Sequence, residues 1–391
     1  MRCQNGGKNI LILTPCFSPN VGGVETHLDD LCDYLDANSF KVYVLTYQPL
    51  TNRTTGPPHE KRGEVEIYRF RWPGFNLFHL LENHKILLFL YITPYLLLRS
   101  FLFMLKNRKR IDIIHSHGLN AAFIGYILKK IFKDKKLITS THSIYNFSPR
   151  SFFARLLQKV FAAHNLILAQ SQDSKKELET IGVNPSKIQI FVHWVNLKRF
   201  QPLNQNAARQ KLNWPLHKFT VIFIGRLIYL KGADLIIKLA KRLQKINFFI
   251  VGDEGPLLPQ IKNAKKKLKN FNFVCNIPYN QLSWYYNAAD IFCYPARYHE
   301  DMSRAINEAL ACGTPIIVTN RGAKPYTLNK NFAFIVKTKE KALADKINLA
   351  YKNPLLLQQM AQKGLKHVNK LSDASARLIL KAYQNLYHNI S

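Results

Sequence analysis

The sequence predicts an α/β protein made of two doubly wound domains, each a parallel sheet with helices on both faces. Three observations carry that expectation. Short β-branched runs alternate with amphipathic segments through most of the chain, and the alternation restarts after about Gln201. The length of 391 residues accommodates two or three domains at roughly 100–200 residues each.

In the first half, Asn9 to Leu13, Lys41 to Thr46, Ile111 to His115, Leu137 to Thr141 and Leu166 to Ala169 read as strands. Helical stretches such as Val24 to Leu35 lie between them. After the restart, Thr220 to Ile224, Phe248 to Val251, Asn272 to Val274, Asp290 to Tyr294 and Pro315 to Val318 read as strands. The expected domains are 1–200 and 201–391, joined near Leu197 to Pro202, with the last helix a candidate to cross back. Ligands of such sheets bind outside the carboxyl ends of the strands, so a two-domain arrangement predicts a site in the cleft.

The first loop excludes two common alternatives. Pro15-Cys-Phe-Ser-Pro-Asn-Val-Gly22-Gly23-Val-Glu-Thr-His27 contains no Gly-x-Gly-x-x-Gly, and the chain has no Gly-x-x-x-x-Gly-Lys-Ser/Thr run. Gly22 and Gly23 before a helix still let backbone N–H groups approach an anion at its positive end, although a plain tight turn has the same sequence.

Charge narrows the partners. The 56 Lys and Arg against 24 Asp and Glu give a formal +32, while 47% hydrophobic and 12% aromatic residues exclude a disordered polycation. A field of that sign favours nucleic acid, an anionic membrane face or phosphorylated ligands. The six scattered cysteines form no Cys-x-x-Cys pair, and several lie in apolar runs, which predicts buried reduced thiols and a cytoplasmic compartment. The N-terminal residues carry no signal-type apolar core.

The apolar stretch from Ile86 to Leu105 approaches the ~20 residues needed to cross a bilayer. Pro94, Arg99 and the strand that follows argue instead for a helix with one face on the sheet and another touching lipid. Arg150 to Phe161 mixes apolar and basic residues (Arg150, Arg155, Lys159) at helical spacing, as an interfacial helix does. Together they predict peripheral contact with an anionic membrane.

The densest chemistry lies between residues 290 and 315. Asp290-Ile-Phe-Cys-Tyr-Pro295 reads as a buried strand, then a loop, then a helix from about Ser303 to Ala311 stopped by Gly313 and Pro315. Glu300 falls in the loop at the strand's carboxyl end, and Glu308 falls about two turns into the helix. Carboxylates flanking an anion site suit hydrogen bonds from sugar hydroxyls, while the helix N-terminus suits a diphosphate.

Glu300-x7-Glu308 followed by Ala-Leu-Ala-Cys-Gly-Thr-Pro resembles the Glu-x7-Glu signature of retaining GT-B glycosyltransferases, most closely glycosyltransferase family 4. Gly22-Gly23-Val-Glu-Thr-His27 resembles that family's N-terminal glycine loop. Asp112-Ile-Ile-His-Ser-His117 and Thr139-Ser-Thr-His142-Ser resemble its two histidine-ending strands. Gly225-Arg226-Leu-Ile-Tyr-Leu-Lys231-Gly232, Val251-Gly-Asp-Glu-Gly-Pro256 and the Leu282 to Asp290 run match in order. The resemblance covers essentially the whole chain.

It implies a GT-B fold of two Rossmann-like domains, the first binding acceptor and the second a nucleoside-diphosphate sugar. By the resemblance, Arg226 and Lys231 hold the diphosphate and Glu308 accepts from the ribose. Glu300 accepts from sugar hydroxyls near the anomeric carbon, and His142 contacts the donor sugar. Gly22 and Gly23 let backbone N–H groups reach the phosphate. No metal or other cofactor is expected, and no Asp-x-Asp or His/Cys ligand set occurs. Glu308→Ala and Lys231→Ala are each expected to abolish transfer while leaving the fold intact. The implied acceptor is a glycan or a membrane-associated lipid, with retention of configuration.

Two departures stand out: His193-Trp-Val-Asn196 where the family has Asn-Gly-Val-Asp, and Asp301-Met-Ser303 where it commonly carries Gly-Phe-Gly. Competing readings remain. A nucleic-acid-binding protein would use the Lys129–Lys136 and Lys262–Lys269 runs, though no helix-turn-helix, RRM or zinc signature accompanies them. A non-catalytic or epimerase GT-B homologue is the other, and an epimerase has no use for lipid-facing helices.

Overall fold

The computed structural model describes residues 8–20, 22–50, 54–81, 84–142, 148, 151–298, 303–321 and 328–388. The chain divides into two compact units, one of Met1–His193 with Ser375–Ser391 and one of Trp194–Ala374. The division falls at His193/Trp194, a few residues before the boundary drawn from the sequence. The long helix Pro354–His388 changes membership at Ser375.

The first unit carries β1 (Lys8–Leu13), β2 (Phe40–Tyr47), β3 (His59–Arg62), β4 (Val65–Phe70), β5 (Ile113–His117), β6 (Lys136–Ser140), β7 (Leu166–Ala169) and β8 (Ile188–Ile190). Their order across the sheet is β3-β4-β2-β1-β5-β6-β7-β8, parallel except for β3 against β4. Ile10, Leu11, Ile12 and Leu13 are wholly buried, as both faces of a parallel strand must be when helices cover each side. β3 escapes a hydrophobic reading because His59-Glu-Lys-Arg62 is polar throughout, a sequence that protects an edge from further pairing. Gly63, at φ +57, makes the tight turn into β4.

β5 runs two residues further than the sequence suggests. Its polar end is paired: His115 Nδ1 lies 2.6 Å from the Tyr383 hydroxyl and His115 Nε2 lies 2.9 Å from Ser140 Oγ. The Tyr387 hydroxyl donates to the Asn9 carbonyl at 2.8 Å, so the end of the chain is stitched into this unit's core.

The second unit carries β9 (Thr220–Ile224), β10 (Asn247–Val251), β11 (Phe271–Val274), β12 (Ile291–Tyr294), β13 (Ile316–Thr319) and β14 (Ala333–Val336). The order β11-β10-β9-β12-β13-β14 is parallel throughout and is that of a dinucleotide-type doubly wound sheet. Asp290, just before β12, accepts from Thr220 N and from Arg209 Nη2, both at 2.6 Å, locking the central strands together at their amino ends.

The apolar segment forms one helix, Lys85–Asn107, with Pro94 inside it. By length and composition Ile86–Asn107 can cross a membrane. One face, with Ile92, Leu96, Ser100 and Met104, is instead built into the first sheet's core. Arg99 is drawn aside, its guanidinium 4.4 Å from the Phe70 ring centre. The basic amphipathic segment forms the helix Phe152–Ala162, burying Ala154, Leu157, Val160 and Phe161 and exposing Phe152, Arg155 and Lys159. Arg150 lies outside the described residues. Among the described cysteines Cys32, Cys293 and Cys312 are buried, Cys16 is half-buried, Cys275 is exposed, and all are free thiols.

Candidate active site

In each sheet the winding reverses between two adjacent strands, and the crevice outside their carboxyl ends is where such folds take ligands. In the second unit those strands are β9 and β12; in the first they are β1 and β5. Of the residues expected to act, Gly22, Gly23 and His142 lie on the first unit and Arg226, Lys231 and Glu308 on the second.

β9 runs into Gly225-Arg226, with Arg226 exposed, then into a single helical turn, Tyr229–Lys231, and the helix Ala233–Arg242. Gly232 joins the last two at φ +80, and a Cβ there would lie 2.2 Å from the Pro295 carbonyl oxygen. Only glycine lets this loop press against the end of β12. Arg297 holds it from the other side, donating from Nη1 and Nη2 to the Asp234 carboxylate at 2.6 and 2.7 Å and stacking 3.7 Å from the Tyr229 ring. The Lys231 ammonium is thereby set beside the Tyr294 hydroxyl, with the Tyr294 and Tyr298 rings 5.2 and 5.3 Å away. The aromatic faces and the phenol oxygen thus fix where this cation is presented.

Glu308 sits on the helix Arg304–Ala311 and is buried, not displayed. Its Oε1 accepts from the Tyr279 hydroxyl at 2.7 Å and from Arg304 Nε at 3.2 Å, while Oε2 accepts from the Tyr286 hydroxyl at 3.0 Å. Burial, then the Glu308 charge, pushes the Tyr286 phenol well above its usual range, so it stays a donor. Arg304 also donates to the Trp194 carbonyl at 3.2 Å and to the Tyr279 hydroxyl at 2.8 Å. The carboxylate is thus also a structural partner of Arg304, so Glu308→Ala is expected to cost stability as well as transfer. Glu300, with Asp301 and Met302, lies outside the described residues.

In the first unit Gly22 precedes the helix Gly23–Ala37, and the Glu25 side chain lies over it. Above Gly23 a Cβ would meet nothing within 4 Å, so packing does not require this glycine. His142, just after β6, is half-buried, with Nε2 3.1 Å from His117 Nδ1 and Nδ1 3.2 Å from the Gln170 amide nitrogen. With that amide as donor, His142 Nδ1 accepts and its Nε2–H donates to His117. Burial lowers the His142 pKa to about 4 and holds His117 well below its ordinary value. His117 Nε2 is buried without a hydrogen-bond partner among the described residues. A sugar hydroxyl reaching a His142 nitrogen has to compete with His117 or Gln170. His193 gives the first sequence departure a physical role: its ring stacks 3.7 Å from His27, and Gln170 donates to its Nε2 at 2.8 Å.

Two family profiles match: Glycosyltransferase Family 4 over residues 21–199 and Glycosyl transferases group 1 over residues 204–367. The chain belongs to this glycosyltransferase family. This glycosyltransferase is 27% identical over 237 residues to D-inositol 3-phosphate glycosyltransferase 2 of Catenulispora acidiphila, a match spanning 54% of this chain and 55% of that protein. The chain thus spans little more than half the length of that relative. It is 24% identical over 355 residues to the gpi3 subunit of the Schizosaccharomyces pombe phosphatidylinositol N-acetylglucosaminyltransferase, covering 85% of this chain and 70% of that one. Sucrose-phosphate synthase from Thermosynechococcus elongatus superposes with a TM-score of 0.79 at 20% identity over 98% of this chain and all of that one. Anabaena HepE in complex with UDP and glucose gives 0.75 at 17% identity, covering 96% and 99%. At these identities the likeness shows the fold, which is GT-B: two Rossmann-like domains.

Sequence reasoning on this glycosyltransferase misses the residues that position the site. Arg297, Arg304, Tyr279 and Gln170 lie far in sequence from their partners, and only the Arg304-x3-Glu308 spacing, one helical turn, offers a local signal.

Proposed function

We propose that this chain transfers a hexose from a nucleoside-diphosphate sugar to a glycan or lipid-linked acceptor, with retention of configuration, at an anionic membrane face on the cytoplasmic side. The observation that supports it best is the Lys231 loop. Gly232 and Arg297 clamp it so that two cations, Arg226 and Lys231, stand at the carboxyl ends beside the β9/β12 reversal. In this reading a guanidinium fork and an ammonium take the two phosphates and stabilise the charge that grows on the leaving diphosphate. They do so without calling on a metal.

The Gly22-Gly23 turn provides backbone N–H groups for a second phosphate contact, in keeping with the open space above Gly23. Glu300 accepts from the sugar hydroxyls. Glu308, whose Oε2 holds one donor, has one lone pair left for a ribose hydroxyl. His142 is neutral and meets the sugar at the edge of the histidine cluster. The acceptor oxygen attacks on the face from which the diphosphate leaves. That HepE binds UDP and glucose supports a donor of this class.

A thermal-shift screen against UDP-, GDP- and ADP-sugars, followed by a nucleoside-diphosphate release assay, tests the reading. One donor should stabilise the protein, and Lys231→Ala should lose that stabilisation and turnover while melting like the wild type. Full turnover in Lys231→Ala would refute the assignment, and isomerisation of the donor without transfer would favour the epimerase alternative.

A further inference from the structure

At the carboxyl ends of the Lys85–Asn107 and Leu119–Ile131 helices the first unit holds a second concavity, about 800 Å³, away from the residues discussed above. Arg108, Lys109, Lys129, Lys133, Lys135 and Lys136 line it, against two carboxylates, Asp112 and Asp134. Both carboxylates are partly committed: Asp134 pairs with Lys135 at 2.6 Å, and Asp112 accepts from Asn9 N at 3.2 Å. Lys129 is pinned inward, donating to the carbonyls of Lys133 and Lys135, which shapes the loop around the concavity. Burial, then the charge of Lys136, lowers the Lys129 pKa, and the nearby Asp134 charge offsets this only in part.

The concavity opens beside apolar surface. Ile131, which lines it, is half-exposed, and the helix that ends at Arg108 exposes Leu87, Leu90, Leu98, Leu102 and Leu105. Their spacing of three, four or eight places them on one face, along about 27 Å of helix. Because the opposite face fills the sheet's core, this helix is arranged to lie in an interface instead of crossing it. Leucines flanking a cationic basin are of no use to a soluble polyanion but match the boundary between acyl chains and headgroups.

We propose that the basin formed by Arg108, Lys109, Lys129, Lys133, Lys135 and Lys136 seats the phosphate headgroups of an anionic bilayer while the leucine face of the Lys85–Asn107 helix enters its acyl boundary. This deepens the membrane part of the reading above and moves its centre from the Phe152–Ala162 helix to the opposite end of the Lys85–Asn107 helix. The headgroup source is the lipid, not a free phosphate.

Flotation with vesicles of phosphatidylcholine alone, and with added phosphatidylglycerol, tests it on the full chain. Binding should require phosphatidylglycerol, fall with salt and resist competition by glycerol phosphate. The Lys109→Glu/Lys133→Glu variant, which spares the loop contacts of Lys129, should lose binding on the order of tenfold or more. Leu98→Asn/Leu102→Asn should lose it at every salt concentration. Nucleoside-diphosphate release with a water-soluble acceptor should persist in both variants, so failed docking and failed transfer are told apart. Unchanged vesicle binding in the charge variant, equal binding of the wild type to neutral vesicles, or full competition by glycerol phosphate would overturn the proposal. Loss of RNA binding with vesicle binding intact would assign the basin to nucleic acid.

Discussion

Two glycines show how differently one residue type can be constrained. Gly232 is held by conformation and contact: its φ of +80 costs an L-residue about 1–2 kcal/mol, and its missing Cβ makes room for the Pro295 carbonyl. Gly232→Ala is expected to lower the melting temperature and displace Lys231, seen as reduced donor affinity even where the protein folds. Gly23 has open space above it and lies in the first turn of a helix, where alanine is tolerated or preferred. Gly23→Ala is expected to melt at or above the wild type yet lose donor turnover on the order of tenfold, because the methyl occupies the ligand's approach. A Gly23→Ala protein with unaltered turnover would remove the backbone contact from the reading. Glu308 carries the third residue-scale lesson. Glu308→Ala removes the carboxylate ion-paired with buried Arg304, at a cost of up to about 3–5 kcal/mol, so its inactivity would report lost stability as well as chemistry. Glu308→Gln, which keeps the shape, is the informative variant: its melting temperature should fall less than that of Glu308→Ala, and donor KM should rise.

At the scale of elements, the loop after β9 and the strand end after β12 form one rigid assembly. Arg297 ties them through the Asp234 carboxylate and the Tyr229 ring, with charge-assisted bonds on the order of 1.5–3 kcal/mol. Arg297→Ala should raise donor KM several-fold, with a smaller change in kcat than Lys231→Ala produces. A lower melting temperature with unaltered KM would make Arg297 purely structural. The same logic explains why β4, β8 and β14 escape a reading by local pattern. β8 and β14 are short edge strands and β4 lies between β2 and the polar β3, and each is held by pairing with β7, β13 or β2.

For the whole molecule, the buried histidines of the first unit set a pH dependence. His142 and His164 are held at about 4, and His115 and His117 well below 6.5, chiefly by burial. Folded, these rings stay neutral; unfolded, they take protons as the pH drops through about 6.5. The unfolded state therefore binds more protons in that window, and stability falls as pH is lowered from about 6.5 towards 4. A melting-temperature profile should slope downward over that range, and His164→Gln should flatten it. A flat wild-type profile would mean that the cluster is open to water. The formal +32 belongs to this scale too. It is spread over both units, 29 Lys and Arg against 10 Asp and Glu in the second and 27 against 14 in the first, and the basin is one local concentration of it.

The α/β class, two sheets in sequence and most strand centres were legible in the sequence, because parallel strands announce themselves as apolar runs, whereas Gly23, Arg226, Lys231 and Glu308 were assigned their roles by the family resemblance. What Glu308 faces, what orients Lys231, why His193 stands where it does and which face of an apolar helix is left uncovered were decided by the tertiary structure. Each depends on partners tens or hundreds of residues away, such as Tyr279 for Glu308, Arg297 for the Lys231 loop and Tyr383 for His115. A pattern of near neighbours carries burial and period, but a long-range hydrogen bond leaves no mark on the residues beside it.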